Sequence, residues 1–402
     1  MTIGPEDKYI GKRVARWRDI AGMTQQQLAD QVGYTREYIS MIENGHKAIT
    51  KRSLLIDLAK ALRVSVTDLI AMPYEAHSRE DMLALSIAAG VRAALDSDVD
   101  GVTVTSEELA EQATNVIAAR MVCDNERLAT LLPAAISQAR AAAYDTREEL
   151  SLAGLDALVK VCVYGSFVLK TTGNMDLSMR MAERARLAAD RLGDPVHIAA
   201  AQQALAQSLM ASGLRERALR MSIFGISLVQ SQLSDPAALA WFGLLHMQAG
   251  LCAASLGRAE EANAHLDEAA QAATEARGGH GWGDEFTPAN VQLWKVGVAL
   301  ENGEPGQAVQ AARLVDPIQL RSPQRVTRLH IDRGRGLYHA GEHDKAIEEF
   351  QLAYATAPTE VRHRASVREI TGELVRTARR NAGSPALRDL AVKVGVDPAS
   401  TG

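Results

Sequence analysis

The chain has 402 residues, too many for one small helical domain, so two or more units are expected. It is rich in alanine and leucine with only 4% aromatic residues, a composition that favours helices over sheet. The formal net charge is −5 but divides unevenly. Eleven Lys/Arg stand against five Asp/Glu from Lys8 to Arg63, and 33 against 41 from Pro73 onward, which argues against a nucleic-acid surface in the larger part.

Taken in order, the first predicted helix runs from Tyr9 to Ala21 with Ile10, Val14 and Trp17 facing inward. Thr24 is an N-cap, and Gln27 three residues on completes a capping box. Leu28, Ala29 and Val32 follow on one apolar face, and Gly33 stands where a helix must stop with positive φ. A second helix opens at Thr35 and buries Ile39 and Ile42. Two short helices joined by such a turn make a helix-turn-helix, whose second helix enters the DNA major groove. A fourth helix from about Arg52 to Leu62 and a short fifth one carrying Val66 and Leu69 close the core.

The residues Arg18, Gly22-Met23-Thr24-Gln25, Leu28-Ala29, Gly33, Ile39, Ile42-Glu43-Asn44-Gly45 and Leu62-Arg63-Val64-Ser65-Val66 resemble the phage-repressor (lambda and 434 Cro/C1, or XRE) family. The resemblance implies a five-helix DNA-binding head in which Arg18 pairs with Glu43. On the recognition helix, Thr35, Arg36, Glu37 and Ser40 are the expected DNA-facing residues. Arg36 suits guanine O6 and N7, and Glu37 suits cytosine N4. Gln25, Asn44 and Lys47 are expected to hold phosphates and set the register.

A connecting helix from Arg79 to Leu95 leads to the stretch DSDVDGVTVTSE. Asp96, Asp98, Asp100 and Glu107, with Gly101, match the spacing of an EF-hand calcium loop. Thr103 and Val104 depart from that pattern, and the preferred reading is an acidic linker that caps the next helix, with no metal and no cofactor. Three units follow from this: a DNA-binding head at 1–72, a connecting helix and acidic linker at 73–105, and a helical-repeat sensor and dimerisation unit at 106–402.

Within 106–402 the clearest unit is Thr327 to Glu360, where Gly334, Leu337-Tyr338, Gly341, Ala346, Phe350, Ala353 and Pro358 fall at the spacing of a tetratricopeptide (TPR) repeat. Looser copies turn at Gly173, Gly213, Gly257 and Gly303, with spacings of 38 to 46 residues that imply lengthened helices or loops. The expected architecture is therefore all-α, a five-helix head followed by a right-handed TPR-like superhelix. The repeat frame places Lys160, Phe167, Lys170, Gln203, Gln207, Met210, Met247, Asn290, Trp294, Arg328, Arg335 and Tyr338 on its concave wall, a mixture suited to a short peptide. The glycine-rich loop 277–288 carries His280, Trp282 and Phe286, which either cover a ligand or tuck into a repeat junction. Two final helices, from about Val361 to Arg380 and Pro385 to Val394, are expected to cap the array with solubilising arginines.

Cys123, Cys162 and Cys252 have no metal spacing and suit buried thiols in a reducing cytoplasm. No apolar run reads as a membrane span, the N-terminus has no signal-peptide core, and no phosphate loop, nucleophile elbow or zinc spacing points to an enzyme. A phage-repressor-like head joined to helical repeats resembles the peptide-responsive quorum-sensing regulators called the RRNPP family. That resemblance implies a cytoplasmic homodimer that binds double-stranded DNA and answers to a short secreted peptide. Two alternatives stay open: a protein–protein adaptor anchored to DNA by its head, and a regulator responding to a small metabolite.

Overall fold

The computed structural model describes residues 9–71, 76–98, 104–276, 282–283, 285–378 and 384–397, and every regular element among them is helical. The head comprises α1 (Ile10–Ile20), α2 (Gln25–Val32), α3 (Arg36–Glu43), α4 (Arg52–Leu62) and α5 (Val66–Ile70). The capping box forms as expected: the Thr24 hydroxyl accepts the Gln27 N–H while the Gln27 side chain accepts the Thr24 N–H. Gly33 ends α2 at φ 72°, a conformation that costs a residue with a Cβ but not glycine. Val14, Leu28, Ala29, Ile39, Leu58 and Leu69 are fully buried between the five helices, each large side chain contributing about 1.5–3 kcal/mol.

The larger part begins with α6 (Arg79–Asp96), α7 (Ser106–Met121) and α8 (Asn125–Ala143). Five helical hairpins follow. They are α9 (Glu148–Thr171) with α10 (Met175–Leu192), α11 (Pro195–Ala211) with α12 (Arg215–Val229), α13 (Pro236–Ser255) with α14 (Ala259–Ala273), α15 (Pro288–Asn302) with α16 (Pro305–Arg313), and α17 (Pro323–His339) with α18 (His343–Thr356). The chain closes with α19 (Pro358–Arg362), α20 (Ala365–Thr377) and α21 (Pro385–Lys393). The five turn glycines, Gly173, Gly213, Gly257, Gly303 and Gly341, have φ of 84°, 87°, 77°, 84° and 80°, so each hairpin turns at the residue read from the repeat frame.

Four expectations change. The helices α9 and α13 are long and apolar enough to cross a membrane, although no such run was expected. They are apolar on all sides because neighbouring helices cover them, leaving 78% and 89% of their most apolar stretches buried. The expected connecting helix α6 packs into the array: Ile87, Val91 and Leu95 share one core with α8 and α9. The array curls until α19 meets α6, where Arg362 donates to both oxygens of Asp81 at 2.8 and 2.8 Å. The helix expected from Val361 breaks at His363 and Arg364, whose bend lets Arg362 reach Asp81. Of the terminal arginines described, Arg388 is exposed, but Arg362 is buried and Arg376 donates to the Gly45 carbonyl at 3.1 Å and lies 4.0 Å from the Tyr9 ring centroid, so these two are not a solubilising fringe.

The loop 277–288 takes the packed reading where it is described. The Trp282 ring lies 5.6 Å from Trp241 and 4.4 Å from His197, and Phe286 is buried against Gly243, where any Cβ would collide with its ring. His280 lies outside the described residues, as do Asp100 and the rest of 99–103. Flanking that stretch, Asp96 pairs with Arg180, and Thr105 and Glu108 form the capping box of α7. Glu107 sits in the first turn of α7. Cys162 and Cys252 are buried free thiols, and Cys123 is a half-buried one.

Candidate DNA interface and effector cavity

The outer side of α3 carries Arg36 and Glu37, both exposed, with Ser40 half-buried one turn on. Thr35 caps this helix by accepting the Tyr38 N–H, and Asn44 closes it by donating to the Ser40 carbonyl at 2.9 Å. Behind it, Arg18 donates through Nε and Nη2 to the buried Glu43 carboxylate at 2.6 and 3.0 Å, the pair that the family resemblance implied. Arg18 also reaches the Met23 carbonyl at 2.8 Å, and Gln25 donates to Glu43 at 2.8 Å. One carboxylate thus ties α1, the turn before α2, and α3 together. Lys47 is half-buried with its ammonium 5.8 Å from the Tyr338 ring centroid, so it leans on the array instead of lying beside Asn44 in the open. A stacked pair the sequence did not suggest, Tyr34 and Tyr38 at 4.7 Å, braces α3, and burial pushes the Tyr38 phenol up to about 12.

The head docks on the array through its helix N-termini. Thr24, Thr35 and Ser65 cap α2, α3 and α5 from within the head, whereas Tyr9 and Lys51 give α1 and α4 no side-chain cap. Carboxylates of the array supply what is missing. Glu369 accepts the Ile10 N–H at 3.0 Å, and Glu301 accepts those of Ser53 and Arg52 at 2.6 and 3.3 Å. Glu373 accepts the Ala48 N–H, Arg335 donates to the Thr50 carbonyl at 2.9 Å, and the Thr50 hydroxyl lies 2.8 Å from the His339 ring. Burial, helped by Arg335, Lys47 and Lys51, holds that histidine down to about 4.

Between the docked head and the inner wall of the array lies a cavity of about 210 Å³. Ile49, Thr50, Lys51, Arg52 and Leu55 of the head form one side. Among the residues expected on the concave wall, Phe167, Lys170, Gln207, Met210, Trp294, Arg328 and Arg335 line it. Lys160, Gln203, Met247, Asn290 and Tyr338 do not. Lys160 pairs with Asp156 at 2.7 Å and sits over Trp282, Gln203 and Met247 are buried in helix packing, Asn290 donates to the Glu285 carbonyl at 2.6 Å, and Tyr338 donates to Glu373. At each of these positions helix packing or a partner within the array takes up the side chain.

Sequence reasoning missed Arg52, Arg120, Glu285, Glu301, Arg325, Asp332 and Arg364, all of which line the cavity. The sequence carried no signal for them: Asp332 sits among the four arginines of α17 and Glu301 near the end of α15, while the docked head and the bend before α20 bring in Arg52 and Arg364. Asp332 takes Arg335 at 2.8 Å and Arg328, which outweigh burial and hold its carboxyl below the usual range. Glu285 pairs with Arg325 and is held down in the same way. Lys170 is different: burial, and then Arg52, Arg364, Arg120 and Arg328, push its ammonium well below the usual lysine value. Among the described residues, no group of His, Cys, Asp and Glu could hold a metal ion.

Residues 14–69 match the family model for a helix-turn-helix domain. The chain is 35% identical over 63 residues to an HTH-type transcriptional regulator, y4dJ, of Sinorhizobium fredii, covering 16% of this chain and 80% of that protein. It is 38% identical over 63 residues to the control protein C.SmaI of Serratia marcescens, covering 16% and 74%. Among solved structures it is similar to a Rap protein complexed with Competence and Sporulation Factor, with 11% identity, 72% of this chain and 88% of that one covered, and a TM-score of 0.44. It is also similar to the apo form of the competence regulator ComR from Streptococcus vestibularis, with 12% identity, 97% and 99% covered, and a TM-score of 0.35. Likeness at these identities and scores says nothing of ligand or partner.

Proposed function

The chain belongs to the helix-turn-helix transcription regulators, and from that premise we propose that it is a sequence-specific, cytoplasmic DNA-binding regulator, a homodimer whose helical-repeat unit senses an effector, a short peptide, in the cavity beneath the head. The observation that carries this reading is the composition of the cavity wall. Head residues Ile49 to Arg52 and array residues such as Phe167, Gln207, Trp294 and Arg328 face the same space. A ligand there touches both units, so it stabilises one head position over another by the difference in its affinity for the two. The wall also offers the amides of Gln207, Gln248 and Gln324 beside apolar Phe167, Leu251 and Trp294, a mixture that suits peptide backbone and side chains together. The proposed units are a head at 1–72 and a sensor that includes α6.

On the DNA side the exposed Arg36 and Glu37 are the proposed base readers, with Asn44 at the phosphates. Lys47 joins them only once it leaves Tyr338. The test is selection of bound sequences from a random duplex library by the full chain and by Arg36→Ala. The full chain is expected to return one preferred site. Arg36→Ala is expected to lose about 1–3 kcal/mol and relax a single base position. An unchanged preference in Arg36→Ala overturns the assignment of Arg36, and no preferred site from the full chain overturns sequence-specific binding.

A further inference from the structure

The cavity holds more positive charge than its own acids neutralise. Its lining includes eight Lys/Arg but only three Asp/Glu. The acids are already engaged: Glu285 with Arg325, Asp332 with Arg328 and Arg335, and Glu301 with backbone N–H groups of α4. Arg120, Lys170 and Arg364 have no carboxylate partner within ion-pair distance among the described residues. Arg120 is buried with Nε and Nη1 lacking a hydrogen-bond acceptor, and Nε of Arg364 is buried in the same condition. Among the described residues Lys170 donates only to the amide oxygen of Gln207, and it sits 5.7 Å from the Phe167 ring centroid. Glu360 stands behind Arg120 and Arg364, but its contact is with the Cys123 thiol at 3.7 Å.

Buried guanidinium groups without acceptors are expensive, and like charges in a low-dielectric space repel. The penalties show in Lys170, which burial and neighbouring cations hold well down, and in Arg364, which burial and Arg328 bring to about 10; at Arg120 burial is outweighed by the fields of Glu285 and Glu360, and its case rests on the buried Nε and Nη1 that have no acceptor. A fold keeps such an arrangement stable when something negative completes it, and guanidinium forks match carboxylate and phosphate oxygens. We infer that the ligand of this cavity is a compact polyanion, carrying at least two carboxylate or phosphate groups, seated on Arg120, Lys170 and Arg364. This rests on the effector reading above and narrows it. An acidic peptide of a few residues and a phosphorylated or polycarboxylate metabolite share that chemistry.

The test uses the full chain and four probes: triglutamate, triglutamine, citrate and pyrophosphate. Thermal midpoints and calorimetric titrations are recorded for the wild type, Arg364→Gln, Lys170→Met and the DNA-face variant Arg36→Ala. At least one of the three anions is expected to raise the midpoint, and triglutamine is expected not to. Arg36→Ala is expected to retain the response, which separates the cavity from anion binding on the DNA face. Arg364→Gln and Lys170→Met are expected to weaken the anion at least tenfold while leaving the ligand-free midpoint equal or higher, because each removes a repelling charge. A merely structural cation would instead lower that midpoint. Triglutamate alone binding identifies an acidic peptide, and citrate or pyrophosphate alone a metabolite. No response to any anion, a response equal for triglutamine, or a response lost in Arg36→Ala but kept in both cavity variants overturns the inference. If an anion binds as described yet leaves operator affinity unchanged, the charge assignment stands and the effector reading fails.

Discussion

Removing the two carboxylates that cap head helices from the array should release the head without unfolding it. Glu301 accepts two N–H groups at the start of α4 and Glu369 accepts one at the start of α1. An N-cap side chain contributes about 0.5–2 kcal/mol, and the charge adds about 0.3–1 kcal/mol against the helix dipole. For Glu301→Ala with Glu369→Ala together, about 2–4 kcal/mol of docking free energy is lost, or about 30- to 700-fold in the equilibrium between docked and free heads. Native-state hydrogen exchange reads this directly at the amides of Ile10, Arg52 and Ser53. Their protection should fall by that factor, while protection of Gln27, capped inside the head by Thr24, should change little. The mirror experiment, Thr24→Ala, should weaken Gln27 and leave Ser53 as it was. The reasoning is refuted if the double variant leaves Ile10 and Ser53 as protected as before. It is equally refuted if Gln27 loses protection to the same extent, since that reports melting of the head and not its release.

A fragment ending near Met72 should bind the selected site far more weakly than the full chain at fixed salt, because it lacks both the second head of the proposed dimer and the carboxylates that cap α1 and α4; equal titrations, or a full chain that sediments as a monomer on DNA, would remove the positioning role given to the repeats. His246 and His339, mostly buried, are held down to about 4 from an ordinary 6.5, so the unfolded chain binds their protons more readily. Their contribution is present above about pH 6.5 and lost as pH falls toward 4, about 1–2 kcal/mol each after allowance for partial exposure, and a thermal midpoint that stays flat from pH 7 to 4.5 would contradict it. Calorimetric titration should give no calcium signal below millimolar concentration, in the wild type or in Glu107→Gln; a micromolar response that Glu107→Gln abolishes would make Asp96–Glu107 a calcium site after all.

The head was legible nearly residue by residue because its information is local. The Thr24 and Gln27 capping box and the positive φ of Gly33 formed as read, and the Arg18–Glu43 pair, which joins more distant residues, formed as the family resemblance implied. The hairpin turns were legible for the same reason, since Gly173, Gly213, Gly257, Gly303 and Gly341 mark φ values that few other residues adopt. The cavity was legible only in part. Phe167, Lys170, Gln207, Trp294, Arg328 and Arg335 could be placed because each lies on the first helix of a hairpin, but Gln203, Met247 and Asn290 lie on those helices too and are buried in the packing, a choice of face set by neighbouring hairpins and not by the repeat frame.

What escaped was whatever depends on two distant segments meeting. Arg52 reads as a surface residue at the start of a head helix until the head docks, and Glu301 and Glu369 read as ordinary glutamates until they meet that head. Yet the sequence carried one trace of the contact. Three of the five head helices begin with Thr or Ser and two begin with Tyr9 and Lys51, residues that cap poorly. An uncapped helix start must find its acceptor in water or in a neighbour. The two uncapped starts, α1 and α4, are those the array covers, while capped α3 leaves Arg36 and Glu37, the proposed base readers, exposed. The same short domain therefore divides its helix ends between two tasks, self-sufficient toward the nucleic acid and dependent toward the array, which is the arrangement a head must have if a cavity beneath it is to decide where it points.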